Sequence, residues 1–242
     1  MEGEGPSLVM VHGAGSARWT FDLVRPHLER RFTVWTVDRR GRGESQDGNP
    51  YELEREFDDV ASVVRQAGPG ALLFGHSYGA LVAAGAATRL DGLPRLALYE
   101  PPMGGVLLDT DWTDRFDALV EAGQRDLAVR EFMRDIGGYS DEEIDAMEGT
   151  PAWAGRCAVA HTVPRELRAE HAFSLASLGV DRLRSPSLLL IGSDSPVWAQ
   201  RSTEAFAAAI PDVQVRTLEG HGHGAAASGP GLLASELERF LA

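Results

Sequence analysis

The sequence predicts an α/β protein: a mainly parallel sheet of about six strands flanked by helices and interrupted once by an all-helical insertion. Three observations lead there. Short apolar runs, each too brief for a helix, end in turns rich in glycine or charge and give way to stretches with helical spacing. Those runs are apolar throughout instead of alternating, the pattern of strands covered on both faces by right-handed crossovers. Between residues 109 and 183 the alternation lapses into helical periodicity alone, and it resumes at Ser187.

Taken in order, Ser7 to Val11 is the first buried strand, ending in His12-Gly13-Ala14-Gly15, a turn whose backbone N–H groups can face a substrate oxygen. His12 reads as a structural residue closing that turn. Arg18 to Arg30, with Trp19, Leu23 and Leu28, is expected to be a covering helix. Phe32 to Val37 is the next strand, running into Asp38 through Ser45, where charges and glycines suggest a structural loop. Tyr51 to Gly68 is mostly helical, with Phe57, Val60, Val63 and Val64 at helical spacing. A short strand then ends at Gly75 and the small-residue run Leu81 to Ala87 is helical. Arg95 to Tyr99 is a strand closed by Glu100-Pro101-Pro102.

In the insertion, Phe116, Leu119, Val120, Leu127, Phe132 and Met133 suggest one or two helices. Ser140-Asp141-Glu142-Glu143 is a capping box, and Thr150-Pro151 starts a further helix with proline in its first turn. An all-helical excursion at this place reads as a lid. The rhythm returns with the strand Ser187 to Ile191, ending in Gly192-Ser193-Asp194-Ser195-Pro196. A helix carrying Ala199, Phe206 and Ala209 follows, then the strand Val213 to Leu218, the turn Glu219 to Gly224 and a closing helix from Leu232 to Leu241. The expected division is a core of residues 1–108 and 184–242 with a cap at 109–183.

Composition narrows the function classes. The 242 residues carry a formal charge of −13, with 36 acidic against 23 basic residues, and every basic residue is arginine. That balance argues against nucleic acid or an anionic membrane as the main partner and leaves a small molecule as the expected one. The single cysteine, Cys157, permits no intrachain disulfide and no cysteine-based metal site, and reads as inert packing. Met1 to Pro6 lacks a charged, apolar leader and no segment reaches the roughly 20 apolar residues of a membrane span, so a cytoplasmic location is the expectation. His221-x-His223 is a possible metal pair, but no carboxylate or thiol cluster accompanies it, so neither metal nor cofactor is expected. Oligomeric state is left open.

The chemistry centres on Gly75-His76-Ser77-Tyr78-Gly79, set between a strand and a helix. Glycines on either side of so tight a turn avoid collisions with the neighbouring elements, and the turn holds the serine hydroxyl above the carboxyl end of the sheet. A serine attacks a carbonyl only when an imidazole takes its proton and a carboxylate orients that imidazole. Candidates lie at later strand ends, in the chain order serine, carboxylate, histidine.

With His12-Gly13-Ala14-Gly15, Asp38 to Ser45, the serine turn and Gly222-His223 in this order, the chain resembles the α/β-hydrolase superfamily over nearly its whole length. The resemblance implies the α/β-hydrolase fold, with Ser77 as nucleophile, His223 as general base and the N–H groups of Ala14 and Tyr78 as oxyanion hole. His221 is the rival base. Relatives most often carry the triad acid three residues after the glycine ending the strand before last, a slot filled here by Ser195, so two carboxylates stand as candidates. Glu100 ends the strand after the serine turn; Asp194 lies one residue before the usual slot. Many relatives open with an antiparallel hairpin, for which there is no room before Ser7. Trp153, His161 and Phe173 are expected to line the acyl or alcohol pocket.

The function these residues imply is a cofactor-independent serine hydrolase, esterase-like, cleaving a carboxylic ester, lactone or thioester through an acyl-enzyme on Ser77. The alternatives are a non-hydrolytic biosynthetic enzyme on the same fold (cyclisation, acyl transfer or carbon–carbon cleavage) and a ligand-binding receptor with little turnover. Dehalogenase and epoxide hydrolase chemistry is disfavoured, because those members of the superfamily place aspartate at the turn.

Overall fold

A computed structural model describes residues 3–103 and 110–242. Its centre is a sheet of six parallel strands: β1 (Ser7–Val11), β2 (Thr33–Val37), β3 (Leu72–His76), β4 (Leu96–Tyr99), β5 (Ser187–Gly192) and β6 (Val213–Leu218). The order is β2-β1-β3-β4-β5-β6. The chain therefore runs out one way from β1 to β2, returns past it to β3, and continues in the other direction. This reversal places the ends of β1 and β3 side by side.

Strand alternation explains the two apolar layers. Val9, Val11, Leu73, Leu98 and Leu189 face one side, where α1 (Leu53–Ala67) and α2 (Tyr78–Ala87) supply Phe57, Val60, Leu81 and Ala84. Leu8, Met10, Phe74, Tyr99 and Leu190 face the other, against Phe21, Leu28 and the closing helix with Leu233, Leu237 and Phe240. β6 is an edge strand with Val215 half exposed.

The helical periodicity between β4 and β5 becomes α3 (Thr110–Glu121), α4 (Arg125–Asp135), α5 (Asp141–Met147), α6 (Pro151–Val159) and α7 (Val163–His171). They enclose a core of their own, built on Trp112, Phe116, Val129, Met133, Ile144, Trp153 and Leu167. The capping box at Ser140 forms as expected, and the Thr150 hydroxyl caps α6 ahead of Pro151. The expected boundary at 108/109 lies outside the described residues. After β5 the chain forms α8 (Val197–Ala209), and after β6 it ends in α9 (Pro230–Leu241).

One expectation fails. Arg18 to Arg30 is not a single helix but a 3-10 turn at Arg18–Phe21 followed by one helical turn at Arg25–Leu28. Pro26 is the reason: a ring without an N–H is tolerated only in a helix's first turn, so helix has to restart beside it, and Leu23 is left on the surface.

The loop after β2 ties the helical insertion to the sheet. Arg39, Arg42, Glu56 and Glu166 are all buried, two cations against two carboxylates. Arg39 reaches Glu56 at 2.9 Å and Glu166 at 3.0 Å, and Arg42 bonds the same Glu166 oxygen and the Thr162 hydroxyl. Asp38 to Ser45 thus carries the structural role the sequence suggested, with α7 as its partner.

Candidate active site

Strand β3 ends in the serine turn, and its backbone is strained at Ser77. Ser77 has φ 56° and ψ −129°, one of two non-glycine residues with positive φ among the described residues; the other is Glu100, at φ 48°. Such positions cost about 1–3 kcal/mol each and persist only when their surroundings enforce them. The flanking glycines are enforced by space. A Cβ on Gly75 would lie 2.4 Å from the Gly79 carbonyl oxygen, and one on Gly79 would lie 2.3 Å from the carbonyls of Val11 and His12.

Around the serine, each strand end contributes one part. The turn after β1 supplies Ala14 and the start of α2 supplies Tyr78. Both line the cavity that holds Ser77, and among the described residues neither backbone N–H has a partner. His12 is sealed beneath this turn. Its Nδ1–H faces the Gly13 carbonyl at 2.9 Å and its Nε2 accepts from the Arg39 N–H, while burial and the nearby Arg39 charge hold it well below the usual imidazole range. It is a neutral strut, as the sequence suggested. Tyr78 directs its hydroxyl away to Tyr51, and the Arg39 guanidinium lies over its ring.

Glu100, at the end of β4, is fully buried and fully bonded. One carboxylate oxygen meets His223 Nδ1 at 2.5 Å. The other accepts from the Gly192 N–H at 2.8 Å and the Ser195 hydroxyl at 2.5 Å. The two sequence candidates for the acid are thereby separated: Glu100 meets the histidine, whereas Asp194 is exposed and takes its hydrogen bond from the adjacent Ser193 hydroxyl. Ser195, in the slot where relatives carry their acid, donates to the carboxylate that comes from β4 instead. The rival histidines separate as well. His221 bonds the Ser228 hydroxyl through Nδ1 and lines only the outer groove.

His223 lines the same cavity as Ser77, although the Ser77 hydroxyl makes no hydrogen bond among the described residues. Aromatic rings also hold the His223 imidazole in place. His76 lies 4.8 Å from it and donates from Nε2 to the His223 carbonyl, Trp198 meets it edge-on at 5.1 Å, and Tyr99 stacks behind His76. Burial and the neighbouring His223 keep His76 well below the usual range, and therefore neutral.

The cavity over Ser77 measures about 590 Å³ including its mouth, and is walled by Phe132, Met133, Ile136 and Leu167 of the helical insertion. Beside it lies a broader groove of about 1960 Å³ including the solvent space over it, and the two share Thr20, Gly137, Tyr139, Arg156 and His223. Of the three side chains expected in the pocket, Trp153 borders only the outer groove, its indole N–H held by Asp126. His161 is exposed on the surface, and Phe173 packs edge-on against Phe57 in the core, so neither lines the cavity. The residues of the helical insertion that do line it were not expected there from the sequence, because which helix face turns inward depends on how the helices pack. Cys157 is half buried, and burial beside Asp126 pushes its thiol up to about 11.

This geometry has recognisable company. A family model described as "Alpha/beta hydrolase family" matches residues 8–236. Among curated relatives, the 2-(acetamidomethylene)succinate hydrolase of Mesorhizobium japonicum is 34% identical over 128 residues, 51% of this chain and 45% of that enzyme. The pimeloyl-[acyl-carrier protein] methyl ester esterase of Xanthomonas campestris pv. campestris is 28% identical over 257 aligned positions, covering 99% of this chain and 96% of that one. Among solved structures, an alpha/beta hydrolase from Sphaerobacter thermophilus superposes with a TM-score of 0.85 at 34% identity, covering 100% of this chain and 94% of that one. The chain belongs to the alpha/beta hydrolase family.

Proposed function

We propose that the protein is a serine hydrolase that cleaves a carboxylic ester or thioester through an acyl-enzyme on Ser77. The observation that carries this reading is the convergence of a strained, unbonded serine, a histidine with a buried carboxylate on its Nδ1, and two free backbone N–H groups on one cavity. In the first half-reaction Ser77 Oγ attacks the carbonyl carbon and its proton passes to His223 Nε2. Glu100 holds Nδ1–H and balances the imidazolium. The N–H groups of Ala14 and Tyr78 receive the developing oxyanion, each typically worth about 10²–10³ in rate. His223 then returns the proton to the leaving oxygen or sulfur, and water repeats the sequence on the acyl-enzyme.

Glu100 is suited to the acid's part because it has no other cation to serve: its remaining oxygen is held by neutral donors, which fix the carboxylate without neutralising it. An esterase among the relatives supports ester chemistry by likeness. The test is a set of three variants assayed with short-chain 4-nitrophenyl esters. Ser77→Ala abolishes turnover while the fold persists. Glu100→Gln lowers kcat by about 10³ or more, and Asp194→Asn changes it less than about threefold. Full activity in Ser77→Ala contradicts the serine mechanism, and equal losses in the two acid variants contradict the assignment to Glu100.

A further inference from the structure

The wall shared by the inner cavity and the outer groove holds a cation that the serine mechanism does not use. Arg156, on α6, is the only lysine or arginine among the described residues that line either space. It makes no ion pair among the described residues. Its one hydrogen bond there runs from Nη1 to the Gly15 carbonyl at 3.1 Å, and its guanidinium lies over the Trp19 ring at 5.3 Å. Nε and Nη2 have no partner, yet neither is sealed from solvent space. The contrast within this chain is informative. Arg39 and Arg42, also taken from water, converge on Glu56 and Glu166, and arginines on the surface reach carboxylates too. A guanidinium drawn out of bulk water without a counter-ion is costly, and a planar fork with free N–H groups matches a carboxylate. Burial works against the charge of Arg156, and no carboxylate offsets that effect.

Two further groups stand beside it. Tyr139 and Thr20 line both spaces, and neither side chain makes a hydrogen bond among the described residues. They add two hydroxyl donors to the guanidinium on the same wall. The carboxylates nearby are Asp22, Glu143 and Asp194, which border only the outer groove; all three are exposed, and Glu143 is engaged in capping Ser140. Surface charges of this kind are screened by water and salt, so they disfavour large polyanions more than a single carboxylate reaching the inner wall. Within the inner cavity Glu170 is the carboxyl to consider, and burial pushes it well above the usual range, which favours its uncharged form.

We propose that Arg156, flanked by Tyr139 and Thr20, binds a free carboxylate of the substrate, so that the ester or thioester cleaved at Ser77 belongs to an acid carrying a second carboxylate or to an alcohol carrying one. This rests on the serine hydrolase reading for its reaction, but the binding site itself does not. The alternative role for Arg156 is structural, bracing the oxyanion turn through Gly15 and Trp19.

Two measurements separate these. The first needs no turnover: glutarate is titrated into Ser77→Ala by calorimetry, with glutaramide as the neutral control. Glutarate binds and glutaramide does not, and the added substitution Arg156→Met abolishes binding while Arg156→Lys keeps part of it. The second compares kcat/KM for the mono-4-nitrophenyl ester of glutaric acid with that of its neutral carbamoyl counterpart, and for 4-acetoxybutyrate with its amide. The wild-type protein prefers the anionic member of at least one pair, and Arg156→Met lowers that preference by about 10²-fold, the size of a charge-assisted hydrogen-bonded pair. Absence of glutarate binding together with no anionic preference in either pair overturns the proposal. So does an Arg156→Met loss that falls equally on charged and neutral esters, which is what a brace for the oxyanion turn produces. Glutarate binding without hydrolysis of any ester upholds the carboxylate site and counts against the serine hydrolase reading instead.

Discussion

Glu100 and Glu170 are two buried carboxyls whose surroundings differ. Glu100 is surrounded by donors: the imidazole, a backbone N–H and the Ser195 hydroxyl. Glu170 borders the cavity with one oxygen buried and unpartnered, and burial alone raises its carboxyl well above the usual range. The sign of its effect on stability follows. The unfolded chain releases this proton near pH ~4.3, whereas the folded chain holds it to higher pH. The native state then binds more protons than the unfolded one, and stability falls as pH rises from about 4.3 toward the folded value, by up to about 1.4 kcal/mol per pH unit. Glu170→Gln keeps the shape and removes the titration. Urea midpoints at pH 5.5 and 8 should therefore drop less on going to pH 8 in the variant than in the wild-type protein. An identical drop in both would show that Glu170 titrates normally.

At the scale of elements, the serine turn was legible because strand, turn and helix are contiguous and steric demand fixes the residues: Gly75, Ser77 and Gly79 fit one conformation. The carboxylate could not be chosen from sequence. Glu100 and Asp194 both follow strands, and the lateral order does not choose between them, since β5 and not β4 neighbours β6; only the side-chain contacts show that Glu100 is the one that meets His223. The helices of the insertion were foreseen through Ser140 and Pro151, but not which faces turn inward, so Tyr139, Arg156 and Glu170 went unnoticed while His161 and Phe173 were expected. Their docking rests on the contact between α7 and the loop after β2. There Glu166 takes both Arg39 and Arg42 on one oxygen, fully out of water. Removing one partner of a buried ionic cluster costs about 3–5 kcal/mol, because the charges left behind stay dehydrated. Glu166→Gln should lower stability by about that amount, whereas Arg40→Gln, which breaks the partly exposed pair with Asp59, should cost less than about 1 kcal/mol. Chemical denaturation checks both, and a small effect at Glu166 would mean that the insertion is held by its apolar contacts alone.

Across the whole molecule, the fold brings five distant stretches to one place: the turn after β1, the serine turn, the end of β4, the turn after β5 and the turn after β6. The parallel sheet makes this possible, since every strand delivers its carboxyl end to the same edge. The helical insertion covers that edge and adds the apolar wall and the unpaired arginine. The central claim, that this convergence activates Ser77, is tested most directly by intact-mass spectrometry after treatment with a fluorophosphonate. The account predicts one stoichiometric adduct, mapped by peptide digestion to Ser77, absent in Ser77→Ala and strongly slowed in Glu100→Gln. A folded protein that gains no adduct, or one labelled equally well in Ser77→Ala, would contradict it.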